Sequence, residues 1–86
     1  MRSVAMYEVE DWLPEEMKKL KRAALAGDTE AEFSIGLLYG DLANKTNDSN
    51  IADIGARFLA RAAKKGHSKA ITCFTSAGMN WHNYDY

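Results

Sequence analysis

The chain has 86 residues, enough for one small domain that buries roughly 60 to 65 per cent of its unfolded surface, and too few for a second. Eleven basic residues against twelve acidic ones leave a net charge of −1, which excludes a global field that would gather or repel nucleic acid. One cysteine, Cys73, excludes an internal disulfide framework and suits a reducing compartment, so the expected location is cytoplasmic.

Residues 1–10 alternate briefly at Val4, Met6 and Val9 and are expected to form an N-terminal arm, either packed at an edge or loose. The apolar run there is too short for a signal-peptide core. No stretch reaches the length of a membrane span; the nearest, residues 70–84, lacks charge but carries Thr, Ser, Asn and His.

The first helix is predicted to open near Asp11 or at Pro14, whose fixed φ suits a first turn, with Glu15 and Glu16 at the positive helix end. Leu13, Met17, Leu20 and Ala24 form one apolar stripe at i, i+4, i+7 and i+11, and Lys18, Lys19, Lys21 and Arg22 take the remaining face. Glu15 and Lys19 are spaced as an i,i+4 ion pair. The second helix is predicted over residues 29–41. It is apolar on two sides, with Ala31, Ile35 and Leu38 on one and Phe33 and Leu37 on the other, so it should sit between two neighbours. Its remaining line, Glu30, Ser34 and Asp41 with Leu37 at the edge, is the expected solvent strip.

Residues 43–50, ANKTNDSN, read as a polar loop. Its two glycosylation-type triplets, Asn44-Lys45-Thr46 and Asn47-Asp48-Ser49, are read as ordinary surface residues. The third helix, predicted over residues 51–65, carries Ile51, Ile54, Phe58 and Ala62 on a stripe with Leu59 beside it, and should be the hub of the core. Arg57, Arg61, Lys64 and Lys65 share another face. A fourth helix is expected to begin after Gly66, bury Ala70, Phe74 and Ala77, and end near Gly78. Beyond it, residues 79–86 form an aromatic tail in which Trp81, Tyr84 and Tyr86 either cover the open flank of the last helix or meet a partner.

One ten-residue skeleton occurs twice. RAALAGDTEA, residues 22–31, returns 39 positions later as RAAKKGHSKA, residues 61–70, with Leu20 answering Leu59 upstream. The paired alanines suit a close helix crossing, and Gly27 and Gly66 stand where a helix ends in the left-handed region. Asp28 or Thr29 in the first copy and Ser68 in the second can cap the following helix, with Thr29 and Glu32 spaced as a capping box. A helix, a glycine turn and a helix repeating at this period indicate a solenoid.

These residues resemble the Sel-one-like repeats, relatives of the tetratricopeptide solenoids. Ala31, Ile35, Gly36, Tyr39 and Gly40 match the first half of that pattern, and Phe58, Leu59, Ala62, Ala63, Gly66, His67 and Ala70 match the second. The likeness spans residues 20–77. Gly55 departs from it where alanine is usual, and Phe74, Thr75 and Gly78 depart from the expected Leu-Gly and Tyr. The resemblance implies an all-α antiparallel helix-turn-helix solenoid of about four helices, one full repeat between two half repeats, in a single domain over 1–86. It also implies partner docking on the strip of Glu30, Ser34, Leu37 and Asp41.

Chemistry is sparsely represented. The serines and Cys73 have only His67 and His82 as bases, with no nucleophile-elbow or Cys-His signature around them, so no catalytic residue is assigned and an enzyme is not expected. No ligand cluster for a metal and no phosphate-cradling loop is apparent, so no cofactor is expected. The expected function is non-catalytic binding of another protein, as an adaptor or as a stoichiometric inhibitor that occupies a surface of a larger complex, by a monomer or weak homodimer. The alternative is binding of nucleic acid or another polyanion through Arg57, Arg61, Lys64 and Lys65. Glu8, Glu10, Asp11, Glu15 and Glu16 form an acidic cluster suited to a basic partner or a neighbouring copy.

Overall fold

The structure, a computed structural model, describes residues 8–78. Among them the chain is all-helical, with four helices and no strand: α1 (Glu15–Leu25), α2 (Thr29–Thr46), α3 (Ser49–Lys64) and α4 (Ser68–Ser76). Each helix lies against its neighbour in the chain, with the most extensive packing between α2 and α3. The arm residues 1–7 and the tail with Trp81, Tyr84 and Tyr86 lie outside the described residues.

The two copies of the ten-residue skeleton form turns of the same construction. Gly27 and Gly66 have φ of 103° and 90°, values that a Cβ disfavours, and each stops the preceding helix. The hydrogen bonds correspond 39 positions apart: Gly27 N–H donates to Ala24 and Gly66 N–H to Ala63, while Asp28 N–H donates to Ala23 and His67 N–H to Ala62, all at 3.0 Å. The first cap is one of the two residues expected and the second is not. Asp28 Oδ1 accepts from Ala31 N–H at 2.9 Å, whereas His67 Nδ1 accepts from Ala70 N–H at 3.2 Å, so at the second turn the capping residue sits one place before Ser68. Each such cap contributes about 0.5–2 kcal/mol to its helix. Glu32 does not close a capping box, because its carboxylate is turned into the interface with α3.

Residues 43–50 are not a loop. α2 continues through Thr46, with Ala43 buried and the Thr46 hydroxyl donating to Leu42 O at 2.9 Å. The connection is Asn47 and Asp48 alone. Asn47 adopts φ 54°, a left-handed conformation that asparagine tolerates, and Asp48 Oδ1 accepts from Asn50 N–H to open α3. Polar composition thus marks a helix end, a turn and a cap. At the start of α1, Pro14 stands one place before the first helical residue, as the N-cap with ψ 149° and no side-chain cap. Glu15 pairs with Lys18 rather than with Lys19, at 3.4 Å.

The core joins Leu13, Met17 and Ala24 of the first segment and helix to Ala31, Ile35, Tyr39 and Ala43 of α2 and to Ile51 and Phe58 of α3. Tyr39 and Phe58 are fully buried, their rings stacked with centroids 6.2 Å apart. A smaller cluster of Ala60, Ala62, Ala63, Ala70 and Phe74 seats α4 on α3. Ala77 is exposed, and α4 ends just before it.

The α2–α3 crossing is close because glycines face each other. A Cβ on Gly55 would meet Gly36 O at 2.9 Å and Tyr39 Cβ at 3.1 Å, and one on Gly36 would meet Leu59 Cγ at 2.7 Å. Gly55→Ala gains up to about 1 kcal/mol of helix propensity, but overpacking against a backbone oxygen costs about 1–3 kcal/mol. Net destabilisation of about 1 kcal/mol is therefore expected, visible as a lower urea midpoint; a midpoint raised by this substitution would show that the helices can separate.

Candidate functional site

The crossing that buries one side of the two glycines leaves a groove beside it. Gly36, Leu37, Gly40 and Asp41 of α2 and Ala52, Gly55, Ala56 and Leu59 of α3 line it, together with Ala77. The groove has a volume of 660 Å³ and is mostly apolar, with Asp41 and Asn44 as its polar margin. Small residues make up much of its lining: Gly36, Gly40, Ala52, Gly55 and Ala56. A smaller pocket, lined by Cys73 and Phe74 of α4, shares Ala56, Leu59 and Ala77 with it. Cys73 is half-buried there.

The expected docking strip is divided between two places. Leu37 and Asp41 line the groove, and Leu37, 45% exposed, is the large exposed hydrophobe among the described residues. Asp41 pairs across one turn with Lys45 at 3.3 Å. Ser34 is half-buried, and Glu30 lies at the start of α2, where its carboxylate meets His67 Nε2 at 3.0 Å. The floor residues Gly36, Gly40, Ala52, Gly55 and Ala56 were not among the expected site residues. Their signal is the run of small residues at helical spacing on two successive helices.

The basic face of α3 is largely engaged within the molecule. Arg57 Nε lies 2.8 Å from Asp53, Arg61 Nε lies 2.9 Å from Glu32, and Lys65 Nζ lies 3.0 Å from Glu32 and 3.0 Å from Gly27 O. Glu32 is fully buried, so two cations compensate its desolvation. Lys64 is exposed. Lys65 also joins one turn to the other, since its donor reaches the carbonyl of Gly27.

The acidic cluster is divided as well. Glu8, Asp11, Glu15 and Glu16 are exposed, whereas Glu10 turns inward. Lys21, expected on the polar face of α1, is fully buried. It donates to Glu10 Oε2 at 3.0 Å and to the Tyr39 hydroxyl at 2.8 Å, and that hydroxyl donates to Glu10 at 3.3 Å. Burial lowers the Lys21 ammonium from its usual 10.5, against the pull of Glu10. Burial raises the Tyr39 phenol well above 10.0, helped by the charge and hydrogen bond of Glu10.

The two shifts act on stability with opposite signs. In the window from its lowered value up to 10.5, the folded state binds less proton at Lys21 than the unfolded state, so stability there rises with pH. Above 10.0 the folded state keeps the Tyr39 proton that the unfolded state loses, so stability falls as pH rises further. The chain has four tyrosines. Alkaline titration of phenolate absorbance should show one of them ionising late and together with unfolding, and Tyr39→Phe should remove that step; a late step that survives the substitution would contradict this placement.

Among the described residues no group of three or more His, Cys, Asp or Glu is placed to hold a metal, and no helix is long and apolar enough to cross a membrane. The chain matches none of the family models, curated proteins or solved structures with which it was compared.

Proposed function

We propose that the chain is a small non-catalytic protein-binding module, built as one full Sel-one-like repeat between two half repeats, and that it docks an apolar segment of a partner protein in the groove between α2 and α3. The observation that carries this reading is the open apolar groove with Leu37 exposed at its wall and a floor of glycine and alanine. Such a floor lets a partner's backbone approach closely, and a partner side chain can anchor beside Leu37. The repeat assignment is supported by the two turns whose backbone bonds and caps correspond at a period of 39. Bound in this way, the chain acts as an adaptor or as a stoichiometric inhibitor by occupying a surface. Binding of a polyanion through Arg57, Arg61, Lys64 and Lys65 is less supported, because Glu32 and Asp53 already neutralise much of that face.

Selection of peptides displayed on phage against the whole chain tests the reading. Enriched sequences should carry an apolar anchor, lose most of their affinity for Leu37→Asp, and hold it when salt is raised. Selected peptides indifferent to Leu37→Asp would remove the groove as the docking site. Tight, steeply salt-dependent binding of a mixed-sequence oligonucleotide would favour the polyanion reading instead.

A further inference from the structure

The two equivalent turns differ in the chemistry of a single capping atom. At the α1–α2 turn the cap is a carboxylate oxygen of Asp28, and at the α3–α4 turn the same place is filled by Nδ1 of His67. To accept the Ala70 N–H, Nδ1 must carry no proton, so the neutral ring holds its proton on Nε2 and donates it to Glu30 Oε1 at 3.0 Å. The ring is fixed from the side as well, stacked on Phe33 with centroids 4.6 Å apart. Histidine is the side chain that ordinarily changes charge between about pH 5 and 8.

We propose that His67 is a proton-operated latch on α4: uncharged, its ring caps the helix and ties it to α2, and charged, it releases the first turn of α4. Protonation places a hydrogen on Nδ1, so the acceptor becomes a donor facing the donor of Ala70. It also sets a cation at the positive end of the helix. The charged groups on the neighbouring elements do not reverse this. α2 offers Glu30, whose side chain is 77% exposed, so its attraction for the imidazolium is screened by solvent. The other acid there, Glu32, is held by Arg61 and Lys65. Around the turn, Lys64, Lys65 and Lys69 add only positive charge. The counterpart cap, Asp28, accepts through a carboxylate oxygen and not through an imidazole nitrogen, so the α1–α2 turn is an internal reference.

Acid therefore loosens one turn and leaves its twin unchanged. α4 rests on the small cluster of Ala60, Ala63, Ala70 and Phe74, and this is the apolar surface that release uncovers. The latch does not depend on the docking reading. If that reading holds, acid also loosens the Cys73 and Phe74 extension of the groove.

Hydrogen exchange of the whole chain, compared at about pH 7.5 and about pH 5.5 on either side of imidazole titration and corrected for intrinsic rates, tests the latch. Protection of amides 70–74 should fall about three- to tenfold relative to amides 31–35, the scale of a lost helix cap. His67→Asn and His67→Asp retain a capping oxygen that does not titrate in this range, so either should abolish the fall. Glu30→Gln should enlarge it, because the charged ring loses its attraction. A fall smaller than about twofold in the native sequence, a fall undiminished in the capped variants, or one reduced by Glu30→Gln would each overturn the proposal.

Discussion

Glu10→Ala should destabilise the fold by about 3–5 kcal/mol, because it leaves the Lys21 ammonium in the interior without its carboxylate. The cost arises from desolvation already incurred: Lys21 is fully buried, and the Tyr39 hydroxyl to which it also donates is neutral. Part of the penalty is relieved by loss of the Lys21 proton, which burial already favours, so the destabilisation should shrink as pH rises. Lys21→Met combined with Glu10→Gln removes both charges and should cost less than the sum of the single changes, since neither partner is then stranded. Urea denaturation of the native chain, Glu10→Gln, Lys21→Met and the double variant measures the cycle, with Glu10→Ala run beside it. Additive costs, or a Glu10→Ala midpoint equal to that of the native chain, would show that the triad is not closed in solution.

Phe58→Ala is the second large effect. The ring is fully buried against Tyr39 at the centre of the α2–α3 interface, and its removal should cost about 3–5 kcal/mol from lost transfer energy and the cavity left behind. Domains of this size have only about 5–15 kcal/mol in all, so this variant should be close to unfolding at room temperature, with a sharply lowered midpoint by circular dichroism. Phe58→Leu, which refills much of the space, should recover a good part of the loss. A midpoint unmoved by the alanine substitution would place the core elsewhere.

Both residues illustrate what a linear reading can reach. Phe58 was accessible, because it lies on a regular stripe with Ile51 and Ala62. Lys21 was not. It occupies an inner position of α1 next to Leu20, and what makes that tolerable is a carboxylate eleven residues earlier and a phenol eighteen residues later. No local pattern signals such a triad. The glycine turns and the Asp28 cap were legible from the repeated skeleton, but the second cap fell to His67 and not to Ser68, because the first residue with non-helical geometry is the one that reaches the free N–H groups. Residues 43–50 misled by composition: asparagine, threonine and aspartate are loop-formers, but here Thr46 bonds back to its own helix and only two residues turn. Of the groove, Leu37 and Asp41 were anticipated from the strip, while the floor depended on knowing that Gly36 and Gly55 come face to face.

That contact between glycines has a mechanical corollary. Gly36 and Gly55 bring the two backbones together with Leu59 and Tyr39 packed against them, so α2 and α3 cannot approach further, and a larger residue at either glycine must push them apart. If a partner segment binds as proposed, any widening of the groove is then expected on the α4 side, where Cys73 and Phe74 continue it, and not between α2 and α3.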